Sequence, residues 1–180
     1  MSKAVMLSIR PKWVEKIANG EKTIEVRKTR PKLDTPFECY IYCTLPKYTH
    51  EDFIATDYPR PQFYGGGKVI GEFTCKRIVP ITYDGGRLWC PTNAAFSPAT
   101  CLSQAEIIAY IGDKGRCYGW HITDLRIYDA PRELIEFERP YECNECDAKW
   151  ASECNACHEE GKIKRAPQSW CYVETMNDGC

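Results

Sequence analysis

The sequence predicts an α+β protein with one hydrophobic core. Four segments either alternate apolar and polar residues or are rich in strand-forming residues, at 23–27, 37–44, 68–79 and 117–128. Two further segments carry helix-start signals, Pro11 and the Ser103-Gln104-Ala105-Glu106 capping box. A chain of 180 residues with 43% hydrophobic content has room for one core, so a single domain over 1–180 is expected.

The first helix is predicted to begin at Pro11, because proline has no N–H to leave unpaired in a first turn. Trp13, Val14 and Ile17 then form one apolar stripe. Gly20 can adopt the left-handed conformation that ends a helix. A strand is expected directly afterwards, from Thr23 to Arg27.

Charge is concentrated on and around this strand. Within the stretch 20–30, which holds two glutamates, four cations lie close in sequence to Glu25. The cations are Lys22, Arg27, Lys28 and Arg30. Glu25 and Arg27 would share one strand face, where neighbouring cations hold the carboxylate ionised. The pattern predicts either a binding site or a solvated face with ordinary salt bridges.

The middle of the chain alternates strands with irregular segments. Phe37–Thr44 is predicted as a strand, and 45–67 as a long loop whose Tyr64 and other rings either cover a cleft or pack on the surface. Lys68–Val79 is predicted as a strand bent at Gly71. Residues 80–102 are predicted to be irregular.

The last third begins with the helix predicted from the capping box. This helix is expected to run to Ile111, to stop at Gly112 and to cap the core with its isoleucines. Cys117–Tyr128 is predicted as a strand pair or one bent strand, and Ser169–Glu174 as the closing strand.

The net charge of −1 hides a strong asymmetry. Residues 1–32 hold nine Lys and Arg against three Glu, a charge of +6, whereas 33–180 hold 15 basic and 22 acidic residues, a charge of −7. A basic face on an acidic body favours a polyanion or phosphate partner over a membrane. The start of the chain lacks an apolar run typical of a signal peptide, so a cytoplasmic protein is expected.

The chain has twelve cysteines. In a protein expected to be cytoplasmic, disulfide bonds do not explain so many cysteines, because thiols are kept reduced there. Cys143-x₂-Cys146 and Cys154-x₂-Cys157 form two pairs separated by seven residues. Two such pairs can supply the four thiolates of a tetrahedral structural zinc site. The sequence therefore predicts bound Zn²⁺ within an insertion at 140–167. His158 or Cys171 could replace one ligand, and redox chemistry by a single pair is the rival interpretation.

A family resemblance rests on the N-terminal motif and on three later segments. The motif resembles the N-terminal signature of the ASCH domain, a member of the PUA-like β-barrel superfamily. Its residues are Leu7-Ser8-Ile9, Pro11, Trp13, Ile17, Gly20, Lys22 and Glu25 to Lys28. Lys68–Phe73, Tyr118–Ile122 and Pro167–Val173 resemble inner strands of small phage and bacterial ASCH proteins. The resemblance implies a small mixed β-barrel with two or three helices and a cleft beside the GxKxxExR strand that binds nucleic acid or a nucleoside.

The first functional hypothesis is a module that binds RNA or single-stranded nucleic acid. Basic residues would contact phosphates while an aromatic ring stacks on an unpaired base. The candidate phosphate ligands are Arg10, Lys12, Lys22, Arg27, Lys28, Arg30 and Lys32. Glu25 is a further candidate for ligand binding, and the candidate rings are Tyr64, Tyr118 and Trp120. Simple core burial is the preferred explanation for Trp120. His121 is given no role.

The second hypothesis is an enzyme, and it comes from the resemblance. Some small bacterial ASCH proteins are amidohydrolases that deacylate acetylated cytidine with a Lys, a Thr and a Glu. Lys22 matches the lysine, but Glu25 stands where that pattern has threonine. Glu72 and Glu106 are the candidates for a second acid. Lys22 and Glu25 would be the catalytic pair, with the carboxylate as general base for water.

Overall fold

Strands form most of the regular structure. The computed structural model describes residues 2–45, 66–90, 96–140 and 161–176, without the side chains of 96 and 97. The described strands are β1 (Lys3–Ile9), β2 (Ile24–Arg27), β3 (Phe37–Cys43), β4 (Lys68–Asp84), β5 (Arg87–Trp89), β6 (Arg116–Arg132) and β7 (Trp170–Glu174). The described α-helices are α1 (Pro11–Ala18), α2 (Phe96–Thr100) and α3 (Gln104–Ile111).

The seven described strands make one mixed sheet. Its order is β2-β6-β4-β3-β1-β7, and β5 pairs with β4 outside this path. β1 is parallel to β3 and antiparallel to β7, while β2 is antiparallel to β6. Among the described residues β2 and β7 end this order without pairing to each other, so the α+β class is confirmed and the closed barrel is not shown.

The chain divides into two compact units, and the first holds both ends of the described chain. This terminal unit comprises Met1–Val14, Glu38–Glu72 and Arg126–Cys180. Its core is built from Ala4, Met6, Tyr40, Tyr42, Val69, Phe137, Ile163 and Val173. The Tyr40 ring packs edge-on to Phe137 with centroids 4.9 Å apart, and its hydroxyl accepts a 2.8 Å hydrogen bond from the Met176 N–H.

The second unit, the central unit, comprises Glu15–Phe37 and Phe73–Leu125. Its core contains Val26 of β2, Ile81 of β4, Ile107 and Ile111 of α3, and Cys117 of β6. Helix α3 therefore covers one face of these strands. The predicted capping box is confirmed, with the Ser103 hydroxyl accepting from the Glu106 N–H, and Gly112 is the C-cap.

Other local predictions are also confirmed. The first helix begins at Pro11, and Gly20 has a φ of +75°, which favours glycine. The segment from 117 to 128 lies in one strand, β6, in which Asp124 has a φ of +50°. The bend predicted at Gly71 stays a prediction, and the structure shows close packing there instead, since an added Cβ would overlap the Arg126 carbonyl oxygen.

The irregular segment predicted over 80–102 is wrong in part. β4 continues to Asp84 and turns back into β5 through Gly85 and Gly86, and α2 follows before residue 101. Both turn glycines have positive φ, +57° and +80°, as a two-residue hairpin turn requires. Gly85 and Gly86 therefore join two paired strands and do not belong to an irregular loop.

Several predictions lie outside the described residues. These are most of the loop over 45–67 with its Tyr64, the two cysteine pairs, and His158. The single domain over 1–180 and the zinc insertion stay predictions. In the described parts of the chain no helix is long and apolar enough to span a membrane.

Candidate functional site

A buried group of three charges lies at the start of β2, in the central unit. Lys22 Nζ lies 3.3 Å from Glu25 Oε2, and Arg27 Nε lies 3.1 Å from Glu25 Oε1, so both cations form ion pairs with this carboxylate. The side chains of Lys22, Glu25 and Arg27 are 2%, 8% and 8% exposed. We call these three residues the ion triad. The salt bridges expected from the sequence exist, but they are buried and not on a solvated face.

The backbone around Lys22 explains why its ammonium group is buried. The Lys22 N–H donates to the Lys16 carbonyl at 2.9 Å, and the Thr23 N–H donates to the Ala99 carbonyl at 2.9 Å. This places Lys22 Nζ 2.7 Å from the Thr100 carbonyl oxygen at the end of α2. The last carbonyls of a helix have no partner within it, so the ammonium group satisfies one of them.

β6 supplies the neighbouring strand of the site. Its register places Glu25 opposite Trp120 and Arg27 opposite Tyr118, so the four side chains share one face of the pair. Trp120 is fully buried and packs edge-on to Phe37 with centroids 5.8 Å apart. Core burial of Trp120, the simpler of its two interpretations, is therefore confirmed.

Exposed cations follow the ion triad where β2 ends. Lys28 Nζ lies 5.2 Å from the centroid of the Tyr110 ring, and Arg30 Cζ lies 6.0 Å from that of Tyr118. β2 and β6 are antiparallel, so Arg116 at the start of β6 lies at this same end of the pair, two residues after Lys114. All four cations are exposed. We call Lys28, Arg30, Lys114 and Arg116 the basic patch.

The titratable groups near the strand pair are shifted by burial. Burial raises the pKa of Tyr110, and the Arg27 guanidinium partly opposes this effect. Burial also lowers the pKa of His121, with a smaller contribution from Arg77. Tyr110 therefore stays a neutral phenol beside Lys28, where its ring can interact with the ammonium group.

The structure separates the sequence-predicted residues into groups. Lys22, Glu25, Arg27, Lys28, Tyr118 and Trp120 come together in the central unit. Arg10 and Lys12 are exposed residues of the terminal unit, where Lys12 Nζ lies 4.7 Å from its neighbour, the Trp13 ring.

The two candidate second acids already have partners of their own. Glu72, in the terminal unit, is bound by Tyr128 and Arg126. Glu106 accepts from the Ser103 N–H and hydroxyl in the capping box.

Sequence reasoning missed three contributors to the site. The Thr100 carbonyl belongs to a short helix without a clear sequence signal, and Tyr110 meets Lys28 only through tertiary packing. Arg116 follows Gly115, whose φ of +66° marks a turn before the strand. That glycine was a usable signal, since a cation directly after a turn stands at a strand end.

Solved structures share this arrangement of strands, whereas no protein-family model and no curated protein matches the sequence. An ASCH protein from Zymomonas mobilis matches with a TM-score of 0.57 and 18% identity, over 95% of this chain and 87% of that one. A tyrosine-to-phenylalanine variant of it gives 0.58 and 17%, over 96% and 91%, and a serine-to-alanine variant gives 0.55 and 18%, over 95% and 88%. The chain has the fold of an ASCH domain.

Within this ASCH fold, the residues that flank the segment 141–160 are joined to each other. The Arg139 N–H donates to the Gly161 carbonyl at 2.8 Å, and the Ile163 N–H donates to the Phe137 carbonyl at 2.9 Å. Lys162 Nζ lies 3.4 Å from a Glu138 carboxylate oxygen. The two cysteine pairs therefore belong to an excursion whose two ends are paired. Within the described ranges no group of three His, Cys, Asp or Glu side chains could hold a metal ion.

Proposed function

We propose that this protein binds nucleic acid through the basic patch. The observation that carries the proposal is the placement of exposed Lys28 and Arg30 beside the Tyr110 and Tyr118 rings at the end of one strand pair. Cations of this kind bind phosphates, and neighbouring rings offer faces to bases.

In this proposal the ion triad supports the interface from beneath. The charges of Lys22 and Arg27 are directed at Glu25, and Lys22 also binds the Thr100 carbonyl. We therefore propose that Lys22 and Arg27 hold β2 in place. In this proposal the phosphates are bound by the basic patch, Lys28, Arg30, Lys114 and Arg116. A strand fixed by its own buried ion pairs presents the following residues in one geometry, which favours binding because less motion is lost.

The test is a titration of short oligonucleotides, followed by fluorescence anisotropy, at two or more salt concentrations. The Lys28→Ala/Arg30→Ala double variant removes one lysine and one arginine from the patch. We expect weaker binding and a salt dependence, d log K/d log[salt], shallower by about 1–2, because roughly 0.7 counterions are released per phosphate contact on a single strand.

The matched control is Lys76→Ala/Arg77→Ala, which removes one exposed lysine and one exposed arginine from β4 in the same unit. This variant has the same net charge as the patch variant, so a specific patch predicts near wild-type binding for the control. Equal weakening by both variants would mean that only net charge matters. Salt-independent binding, or no binding at low salt, would reject the proposal.

The alternative, hydrolysis of an acylated nucleoside, is a weaker proposal for these residues. A general base needs a carboxylate oxygen that can take a proton from water. Both oxygens of Glu25 lie within ion-pair distance of a cation, and Lys22 Nζ also donates to the Thr100 carbonyl. Formation of cytidine from acetylated cytidine by wild type, with loss of this activity in Lys22→Met, would favour the alternative over a binding role alone.

We also propose a structural zinc ion bound by Cys143, Cys146, Cys154 and Cys157. Four thiols in two CxxC pairs suit tetrahedral Zn²⁺, and the paired ends at 137–139 and 161–163 would let such a site stabilise one closed loop. Elemental analysis of protein purified without chelator is expected to give about one zinc per chain. Cys143→Ser/Cys154→Ser should lose the metal and Cys101→Ser should keep it. Zinc retained in the double variant would exclude this ligand set.

A further inference from the structure

The hairpin of β4 and β5 carries an exposed tryptophan that has no role in the proposed function. Trp89 is 56% exposed, although large aromatic side chains usually bury most of their surface. Its neighbour Leu88 packs against the core cluster that contains Val26, Ile81 and Cys117. The hairpin is therefore anchored by Leu88 while the next side chain along β5 faces water.

The strand alternation places Trp89 on a defined face. Val26, Ile81, Leu88 and Cys117 pack together under α3, so they mark the covered face of their strands. Residues one position away on the same strands point to the opposite face. On that face β6 carries Arg116 and Tyr118, and β5 carries Arg87 and Trp89. Two rings and two arginines thus share one face at one end of the sheet, with Arg30 over the Tyr118 ring.

These residues are also close in the plane of the sheet. The Tyr83 N–H of β4 donates to the Gly115 carbonyl at 3.0 Å, and Tyr83 lies opposite Leu88 of β5. β4 therefore runs between β5 and the start of β6. The distance from β5 to the start of β6 is two strand spacings, about 10 Å. Trp89 is one residue further along β5, at the edge of the basic patch.

Charge favours a nucleic acid as the occupant of this face. Arg87, Lys114, Arg116, Lys28 and Arg30 are exposed at this end of the unit. The exposed carboxylates among them are Asp84, opposite Arg87 in the hairpin, and Asp113. Cations therefore outnumber carboxylates around two exposed or half-exposed rings. A sheet face with rings and arginines is the arrangement on which proteins stack unpaired bases.

We infer that the face carrying Tyr118, Arg116, Arg87 and Trp89 is a stacking platform, and that Trp89 selects single-stranded over duplex nucleic acid. This inference rests on the proposed function and narrows it to one form of ligand. Phosphate contacts by the basic patch serve both forms, whereas a base can stack on Trp89 only when it has left its own helix.

The experiment compares a fluorescent single-stranded oligonucleotide with its duplex at one low salt concentration. Trp89→Ala is expected to weaken single-strand binding by about ten-fold, with duplex binding unchanged, and Trp89→Phe should retain most of the single-strand affinity. The matched control is Tyr83→Ala, which removes the other exposed ring of the hairpin, on the opposite face and 36% exposed. Tyr83→Ala should bind both ligands as wild type does.

The possible results distinguish failure of the stacking platform from failure of the proposed nucleic-acid binding. If Trp89→Ala binds single strands normally while Lys28→Ala/Arg30→Ala is weakened, the platform is wrong and the nucleic-acid function stands. Equal loss of single-strand and duplex affinity in Trp89→Ala overturns strand selection. The absence of any binding by wild-type protein overturns both.

Discussion

Two carboxylates in the two units are held by similar partners in different surroundings. Glu25 lies 8% exposed between Lys22 and Arg27, and both cations are themselves buried. Glu72 lies 19% exposed, accepts a 2.5 Å hydrogen bond from the Tyr128 hydroxyl and sits 3.3 Å from Arg126, which is 57% exposed. Glu25 forms ion pairs with two buried cations. Glu72 accepts a hydrogen bond from a phenol, pairs with an exposed arginine and is partly open to solvent.

This difference decides what each cluster can do. Ions taken out of water lose a large hydration free energy, so a buried ion left without its partner destabilises the fold strongly. The ion triad therefore acts as a unit that fixes β2. If Glu72 loses a partner, water can solvate its charge in place of that partner, because Arg126 is exposed and Glu72 is partly exposed. That cluster tolerates change better and adds less to the rigidity of its strand.

The largest expected effect is that of Glu25→Gln. The substitution keeps the shape but leaves Lys22 and Arg27 as two buried cations without an anion, so we expect a loss of about 3–5 kcal/mol in the free energy of unfolding. For a chain of this size such a loss lowers the midpoint of thermal unfolding by roughly 10 °C. Urea and thermal unfolding of the purified protein measure both quantities.

The matched control for Glu25→Gln is the same change in an exposed pair. Glu21 lies 2.9 Å from Lys16 Nζ, but their side chains are 52% and 40% exposed, so Glu21→Gln should leave the unfolding midpoint unchanged. A second variant, Lys22→Met/Glu25→Leu/Arg27→Met, removes all three charges and should recover much of the stability lost in Glu25→Gln. Similar midpoints for Glu25→Gln and Glu21→Gln would show that burial of the ion triad contributes nothing.

The second expected effect, at the other carboxylate, is smaller. Tyr128→Phe removes the donor to Glu72 but leaves Arg126 and partial access to solvent, so we expect a loss of about 1.5–3 kcal/mol, the range of one hydrogen bond to a charged group. Arg126→Ala, which removes the exposed partner, is expected to cost less than about 1 kcal/mol. A larger loss in Arg126→Ala than in Tyr128→Phe would reverse the assignment of the main partner.

Much of the fold followed from local signals in the sequence. Pro11 and Gly20 bound the first helix, the Ser103 capping box starts α3, and alternation locates β2 and β6. Each signal works because its cause lies within a few residues along the chain. The β4–β5 hairpin was missed although Gly85-Gly86 between Thr82-Tyr83 and Leu88-Trp89 is a hairpin pattern. The strand-forming residues on either side of the two glycines distinguish this hairpin from an irregular loop.

The site was predicted less completely, because burial is a property of tertiary packing. The sequence identified Lys22, Glu25 and Arg27 as one charged group, and the structure joins them as ion pairs. Alternation along one strand could not show that the polar face is also covered, or that the Thr100 carbonyl 78 residues away accepts from Lys22. The exposure of Trp89 could not be predicted, because a short run of strand-forming residues does not show which side chains the neighbouring elements bury.

Alkaline pH tests whether the Tyr128 hydroxyl is held as a neutral donor. Burial, followed by the hydrogen bond to Glu72, raises the pKa of Tyr128 well above its ordinary value of 10.0. The unfolded chain releases this proton near pH 10 while the folded protein keeps it, so the stabilisation is complete below pH 10 and declines as the pH rises above it. Wild type should therefore lose up to about 1.4 kcal/mol per pH unit relative to Tyr128→Phe, and their unfolding free energies should converge between about pH 11 and 12. A difference between the two proteins that stays constant from pH 8 to pH 11 would mean that Tyr128 ionises as freely in the folded protein as in the unfolded chain.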